Sequence, residues 1–163
     1  AQEITNTMRA TGEKIVILDG DELRGIFTTK ESETQNYTRK ERLKLAMRYA
    51  RLSRIIATPG VTVVVATISL FSEIQKWNRS NLPRYFEVYL KVPIDELRRR
   101  DPKGIYSRFD SGDLKNVAGL DLPIDEPKSA DLVMEFAPDY SVSALADRVI
   151  HNIKIKEKKE EKT

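Results

Sequence analysis

The chain has 163 residues, of which 40% are hydrophobic and 33% charged, with a formal net charge of +3. This size and composition predict one globular domain and exclude a disordered chain. The longest apolar run, residues 61–71, is interrupted by hydroxyl side chains and is too short to cross a bilayer, so we expect no membrane partner. The absence of cysteine excludes disulfides, thiolate catalysis and cysteine–zinc sites, and it fits a cytoplasmic protein.

Helices and strands are predicted to alternate along the chain. Residues 1–11 fit the latter part of a helix that Gly12 ends, and residues 14–18 form an apolar strand of the kind that is buried on both faces. The further helices are predicted at 22–27, 39–57, 74–80, 94–99 and 142–153, and the further strands at 61–67, 86–92 and 131–136. This alternation predicts an α/β fold with a mainly parallel sheet covered by helices on both faces.

Three segments connect or extend these elements. Residues 28–38 are polar and lack apolar periodicity, which predicts a mobile loop. Residues 101–130 are rich in Gly, Pro, Asp and Lys and predict an ordered lid. We therefore expect one domain over residues 1–153, followed by a charged C-terminal tail over 154–163 that is solvated or a frayed helix end.

Two carboxylates follow the first apolar strand, in the sequence Asp19-Gly20-Asp21, and Arg24 comes one helical turn later. In open α/β sheets, ligands bind at the carboxyl ends of strands. Paired acids at such a position can hold Mg²⁺ through its waters and accept a hydroxyl proton during phosphoryl transfer. An ordinary turn, with Asp21 capping the next helix, is the structural alternative.

Two other motifs carry polar groups that could reach the same place. Thr67-Ile68-Ser69 ends the second apolar strand, where its hydroxyls either line a site or satisfy local backbone groups. In the lid, Arg100, Lys103 and Arg108 carry positive charge that suits closure over a polyphosphate, although a solvated loop is the alternative. The basic stretch 39–54 lacks interleaved aromatic residues and any nucleic-acid motif, so we expect no nucleic-acid binding.

Together these segments resemble the adenylylsulfate kinase family of P-loop nucleotide kinases, over about residues 14–133. The residues that carry the resemblance are Ile17–Arg24, Ile68-Ser69, Arg100–Tyr106, Gly112–Asn116, Gly119–Asp121, Pro123, Pro127 and Asp131–Val133. The resemblance implies a three-layer α/β P-loop kinase fold. It also implies transfer of the γ-phosphoryl group of ATP, with Mg²⁺, to the ribose 3′-hydroxyl of a nucleotide, which in this family is adenylylsulfate.

The resemblance also implies roles for individual residues. Asp19 and Asp21 match acids at the hydroxyl and the metal, and Ser69 matches a serine that lines the site. The residues implied to bind substrate are Arg24, Tyr37, Arg42, Arg48, Ile68, Lys103, Gly104, Lys115 and Val117. Kinases of the family often form dimers, so we expect a homodimer by analogy.

The sequence departs from the family in three places. The glycine-rich phosphate loop and the strand before it are missing, so we expect an N-terminally incomplete kinase domain that is inactive as it stands. Tyr37, Val117 and Leu45 replace two base-stacking phenylalanines and an asparagine. The arginine that normally follows the serine matching Ser69 is absent, and Met47 replaces another arginine.

These departures leave the acceptor open. An adenine ring that loses a stacking partner loses on the order of 1–3 kcal/mol of binding free energy. Divergent relatives, including a cytidine diphosphoramidate kinase of capsule biosynthesis, phosphorylate the same kind of ribose hydroxyl on another nucleotide. A non-catalytic nucleotide-binding module without a phosphate loop is the remaining alternative.

Overall fold

The computed structural model describes residues 1–27, 38–58 and 60–161. Its helices are α1 (Gln2–Ala10), α2 (Gly20–Phe27), α3 (Arg39–Ala57), α4 (Ser72–Asn81), α5 (Ile94–Arg100), α6 (Ile105–Asp110) and α7 (Val142–Glu160). Its strands are β1 (Ile15–Asp19), β2 (Thr62–Ala66), β3 (Val88–Lys91) and β4 (Leu132–Glu135). The predicted α/β alternation is therefore present, while the loop predicted over residues 28–38 lies, except for Thr38, outside the described residues.

All strand pairing in the described residues is parallel. β1 pairs with β2, with Ile15 opposite Thr62 and Asp19 opposite Ala66. β3 pairs with β4 in a separate two-stranded sheet, and no ladder joins the two sheets within the described ranges. The carboxyl ends of β1 and β2 therefore lie side by side, and these are the strand ends that precede the predicted site residues.

The strands are less buried than their apolar sequences predict. In β1 only Ile15 is buried. Val65 of β2 is 40% exposed and Leu90 of β3 is 63% exposed. Each sheet has only two strands, so each strand has an edge without a described pairing partner. The prediction that the first strand is buried on both faces is therefore wrong for these residues.

The terminal helices connect the two sheets through the hydrophobic core. Met8, Ile15 and Ile150 form one buried cluster, against which Val64 packs. A second cluster, built around Leu132, Met134 and Val149, lies beside β4 and α7. Ile4 of α1 packs against both clusters. The small core is thus shared between the sheets, and α1 and α7 hold them in one unit.

Local sequence explains the helix ends. Thr38 begins α3 because its Oγ1 accepts a hydrogen bond of 3.3 Å from Glu41 N, and Ser141 begins α7 in the same way with Ala144 N at 3.1 Å. One predicted helix end needs correction: α7 continues past Ile153 to Glu160, and in this extension Lys156 contacts Asp131 and the ring of Phe86. The region predicted to be an ordered lid contains the helix α6, which had no sequence prediction. None of the described helices is both long and apolar enough for a membrane span.

Candidate functional site

Asp19 is the last residue of β1, and its side chain begins α2. Oδ1 accepts hydrogen bonds from Asp21 N at 2.8 Å and Glu22 N at 3.5 Å. These are backbone donors that the first turn of a helix leaves unpaired. The capping carboxylate is therefore Asp19 and not Asp21, and it is held at the carboxyl end of the strand by the bonds it makes.

Gly20 allows the two strand ends to approach each other closely. A Cβ atom on Gly20 would lie 2.9 Å from Thr67 Cγ2 and 3.0 Å from the carbonyl oxygen of Ala66. The start of α2 therefore packs directly on the end of β2, which places Asp19 beside the segment 67–69. In that segment the hydroxyls of Thr67 and Ser69 lie 3.0 Å apart and share a hydrogen bond.

Tyr49 supports this corner from α3, and sequence analysis missed it. Its hydroxyl donates a hydrogen bond of 3.3 Å to Gly20 O, and its ring lies 5.9 Å from that of Phe27. Burial raises the pKa of the Tyr49 hydroxyl, and the charges of Arg24 and Asp21 lie near enough to act on it. A tyrosine on the packed side of a helix resembles any core residue, so no sequence signal distinguished it.

The lid brings Lys103 to the carboxylates. The Lys103 ammonium forms an ion pair with Asp21, and both side chains are largely exposed. The carboxylate of Asp101 accepts hydrogen bonds from Ser107 Oγ at 2.6 Å, Ser107 N at 3.0 Å and Tyr106 N at 3.1 Å, which lower its pKa. Gly104 takes the left-handed conformation, φ 62°, that this turn requires. Lys103 thus stands on a turn that is fixed before any ligand binds.

Arg100 does not take the role that its sequence suggested. Its Nε donates to Glu96 at 2.6 Å, and its guanidinium lies 5.0 Å from the centre of the Phe136 ring. Hydrogen bonds from Arg99 and Arg100 lower the pKa of Glu96 to about 2. Of the lid cations considered from sequence, Lys103 is therefore the one whose described contacts reach the site.

The predicted acceptor-binding arginines of α3 contact neighbouring backbone. Arg42 Nη2 donates to Asn116 O at 2.8 Å, and Arg48 Nη1 donates to Phe27 O at 3.2 Å. Both contacts leave the arginines on the side of α3 that faces α2 and the lid. Ile68, also predicted to bind substrate, is largely exposed between the two hydroxyl residues.

The loop after Lys115 is held by one aspartate. The carboxylate of Asp121 accepts hydrogen bonds from Asn116 N at 2.8 Å and Val117 N at 2.6 Å, and these bonds lower its pKa. Lys115 is exposed and lies near enough to Asp121 for its charge to act there. Val117 is buried, so only a small part of its side chain is available to an acceptor base. Tyr37, the other predicted base contact, lies outside the described residues.

Arg39 connects three segments around the site and was also missed. It pairs with Glu73 of α4 and with Asp125, at the end of the lid region. Its hydrogen bond lowers the pKa of Glu73 to about 2. Asp125 also accepts a hydrogen bond of 3.1 Å from Ser72 N, so Arg39 and the start of α4 contact the same carboxylate.

The ends of β1 and β2 carry oxygen ligands of the kind that Mg²⁺ prefers. Asp19 and Asp21 supply carboxylate oxygens, and Thr67 and Ser69 add hydroxyls. Mg²⁺ is usually bound by one or two carboxylates, several waters and substrate phosphates. The residues that the structure describes contain no group of three or more acids and histidines placed to hold a metal alone. The carboxylate pair thus fits a Mg²⁺ ion held partly by waters and a substrate.

The parallel strands, the acids at their carboxyl ends and the lysine beside them fit an α/β phosphotransferase of the nucleotide-kinase class. Residues 1–135 match the family model of adenylylsulphate kinase, so the chain belongs to that family and is a nucleotide kinase by descent.

Known relatives and structures agree with this assignment. The chain is 35% identical over 133 residues to the cytidine diphosphoramidate kinase of Campylobacter jejuni, covering 82% of this chain and 75% of that protein. It is 31% identical over 140 residues to a probable adenylyl-sulfate kinase of Aeropyrum pernix, covering 83% and 74%. The solved APS kinase of Mycobacterium tuberculosis in complex with AMPPNP and APS superposes with a TM-score of 0.82 at 27% identity, covering 94% and 88%.

Proposed function

We propose that the protein transfers the γ-phosphoryl group of ATP, with Mg²⁺, to the ribose 3′-hydroxyl of a nucleotide. The observation that carries this proposal is the contact between Lys103 of the lid and Asp21 at the end of β1. It joins a cation to paired carboxylates at the edge of the sheet where α/β proteins bind ligands. Phosphoryl transfer depends on positioning and charge stabilisation, which such a cluster supplies.

We assign the chemistry at the reacting atoms to the acids. Asp19 is held by its cap at the strand end and accepts the proton of the attacking hydroxyl. Asp21 helps to organise the metal and its waters, and Lys103 balances charge on the transferring phosphoryl group. Ser69 lines the site beside Thr67. A covalent role for Ser69 is not needed, because in-line transfer requires only that the two substrates be aligned.

The basic residues around this centre are assigned to the acceptor. Arg24, Arg42 and Arg48 bind its phosphates, since guanidinium groups pair with phosphates in a bidentate manner. Lys115 and Gly104 act from the lid, and Ile68 offers an exposed apolar surface to the nucleotide. Tyr37 and Val117 remain the proposed contacts of the base.

The ATP phosphates need a cradle that these residues do not supply. We infer that a further strand lies between β2 and β3 in space and joins the two sheets. A glycine-rich loop that ends in Lys-Ser/Thr follows this strand. Two facts support this: the described strands form separate two-stranded sheets, and apolar side chains such as Val65 and Leu90 are exposed. A test is ATP binding by calorimetry, first with the chain alone and then with the natural gene product. Equal affinity in both would contradict the inference.

Adenylylsulfate is the first candidate acceptor, because the family is that of adenylylsulphate kinase. A cytidine nucleotide is the second. The 35% identity to a cytidine diphosphoramidate kinase supports it, as do Leu45 and Val117 in place of a polar and an aromatic base contact. Loss of a stacking partner weakens adenine binding by roughly ten- to a hundredfold.

A coupled ADP-release assay on the natural full-length protein distinguishes the two acceptors. Adenylylsulfate and cytidine 5′-diphosphate derivatives are compared at equal concentration with saturating ATP and Mg²⁺. A preference of about tenfold or more in kcat/KM for one of them assigns the acceptor. Acceptor binding without ADP release would instead support a non-catalytic nucleotide-binding module.

A further inference from the structure

Arg39, the first residue of α3, contacts side chains from two other segments of the chain. Its Nη1 and Nη2 donate to the two carboxylate oxygens of Glu73, each at 2.9 Å. Nη2 also donates to Asp125 Oδ2 at 3.1 Å. The guanidinium lies 5.1 Å from the centre of the Phe71 ring, and Phe71 is buried. One side chain thus contacts two acids and an aromatic ring at once.

Asp125 ties the same cluster to the connection between β2 and α4. Its Oδ2 accepts from Ser72 N at 3.1 Å, and its own N–H donates to Leu70 O at 2.9 Å. Its carbonyl oxygen accepts from Gln75 Nε2 at 2.9 Å. The end of the lid region is therefore docked on the connection that carries Ile68 and Ser69.

This cluster differs from an ordinary surface ion pair. Isolated exposed pairs contribute little, but a bidentate arginine within a network of charges holds a defined geometry. The hydrogen bond from Arg39 keeps the pKa of Glu73 at about 2, and the bond from Ser72 N lowers that of Asp125, so both acids stay ionised at neutral pH. The pair between Lys44 and Glu41, exposed on the same helix and joined by one contact of 3.2 Å, offers a matched comparison.

We propose that Arg39 is a positioning residue for the acceptor nucleotide, holding α3, the connection 67–71 and the end of the lid in one arrangement. This inference rests on the proposed kinase function. Each segment it joins carries a proposed acceptor contact: Arg42 lies one turn along α3, Ile68 lies in the connection, and the loop at Val117 precedes Asp125. The acids Asp19 and Asp21 stand on β1 and α2, and no described contact of Arg39 reaches them.

Because the described contacts of Arg39 do not reach Asp19 or Asp21, we expect its substitution to affect the KM of the acceptor selectively. In the natural full-length protein, Arg39→Ala should raise the KM of the acceptor about tenfold while leaving the KM of ATP within about twofold, because only the acceptor side loses its alignment. Arg39→Lys keeps the charge but not the bidentate geometry and should give an intermediate acceptor KM. Lys44→Ala, the control on the same helix, should change neither constant.

An arginine introduced at position 72 tests whether the acceptor affinity lost in Arg39→Ala can be restored. Ser72 N already contacts Asp125, so a side chain at position 72 starts beside that carboxylate. Ser72→Arg in the Arg39→Ala background should restore at least about half of the lost acceptor affinity. If Arg39→Ala does not fold, Arg39→Lys and Asp125→Asn carry the same comparison, with folding checked by circular dichroism.

The outcomes separate this inference from the proposed function. An active wild-type protein whose acceptor KM is unchanged by Arg39→Ala overturns the inference, and so does an equal rise in both KM values, which indicates a general loss of structure. A wild-type protein without transfer activity overturns the proposed function instead. In that case calorimetric affinities for adenylylsulfate and for cytidine 5′-diphosphate are compared in wild type and Arg39→Ala. The inference is then overturned if Arg39→Ala binds the nucleotide with the same affinity as wild type. It is also overturned if wild type binds neither adenylylsulfate nor cytidine 5′-diphosphate.

Discussion

Charged side chains are largely buried at the amino ends of β3 and β4, and they are exposed at the carboxyl end of β1. At the amino ends of β3 and β4, Asp131 accepts hydrogen bonds from Glu87 N at 2.8 Å, Lys156 at 2.9 Å and Arg79 at 3.2 Å. The side chains of Asp131 and Glu87 are only 15% and 12% exposed. At the carboxyl end of β1, Asp21 and Lys103 are 69% and 59% exposed and pair with each other.

The protonation chemistry shows why the amino-end network is structural. Burial opposes ionisation of Asp131, yet hydrogen bonds from Lys156, the Glu87 backbone and Arg79 lower its pKa. Burial also raises the pKa of Tyr85, which donates to Glu87, to about 12. Every charge in this network has a protein partner, so none needs a ligand. At the carboxyl end the charges remain accessible, as a site for a charged substrate requires.

The sharpest test of this contrast is Asp19→Asn in the natural full-length protein. Asparagine keeps an oxygen that can accept from Asp21 N, so α2 retains its cap, but it cannot take a proton from the acceptor hydroxyl. We expect kcat to fall about 10²- to 10⁴-fold, with an unfolding midpoint within a few degrees of wild type. The measurement is steady-state ADP release combined with thermal denaturation.

Glu22→Gln is the control for that substitution, since it removes one exposed negative charge from the first turn of the same helix. It should leave kcat within about twofold, because Glu22 has no assigned contact with the reacting groups. Near-normal turnover in Asp19→Asn would show that Asp19 only caps the helix, and the contrast between the two strand ends would then fail.

Asp131→Asn should give the reverse result. It removes a largely buried charge and leaves Lys156 and Arg79 without their shared anionic partner, so we expect a loss of about 2–3 kcal/mol in the free energy of unfolding. Activity measured at a temperature where the variant is folded should match wild type. The free energy of unfolding is measured by urea denaturation, and kcat is measured by ADP release. Asp139→Asn, which removes the same charge from an exposed residue, is the control. A large fall in kcat without a loss of stability would contradict the structural role.

Local signals explain how much of the fold could be predicted. The bounds of α3, Arg39–Ala57, agree because Thr38 with Glu41 three residues later is a capping signature and Thr58-Pro59-Gly60 interrupts the helical pattern. The position of Asp19 was also predictable from local sequence. An acid at the end of an apolar strand lies at the carboxyl edge of a parallel sheet. The composition of residues 101–130 predicted a lid, and the family resemblance implied that Lys103 acts from it.

Long-range contacts explain what could not be predicted. Arg39 meets Glu73 and Asp125 across 34 and 86 residues of sequence. Lys156 lies in a charged stretch typical of a solvated tail, but it reaches Asp131 and extends α7 past the predicted end. Such contacts depend on how elements pack, and the composition of each segment contains no signal for them. The partial burial of β1 and β2 was missed because apolar content reports only what a strand is suited to bury.

Gly20→Ala tests whether the close approach of α2 to the end of β2 matters both for stability and for turnover. The new Cβ would lie 2.9 Å from Thr67 Cγ2 and 3.0 Å from Ala66 O, and the second contact is with backbone that cannot rotate away. The end of β2 must therefore move from α2, at a cost of about 1–2 kcal/mol after the helix-propensity gain of alanine. Because that shift separates Asp19 from Ser69, kcat should also fall, about tenfold.

Gly25→Ala supplies the matched control within the same helix. A Cβ there meets nothing within 4 Å, so this variant should equal wild type or gain up to about 1 kcal/mol of stability. Chemical denaturation and ADP release on both variants give the comparison. If Gly20→Ala loses stability but keeps full turnover, the spacing between the two strand ends is not part of catalysis, and the carboxyl-end site tolerates displacement. If both readings fall together while Gly25→Ala is unaffected, the close approach at Gly20 is what aligns Asp19 with the hydroxyl residues that follow β2.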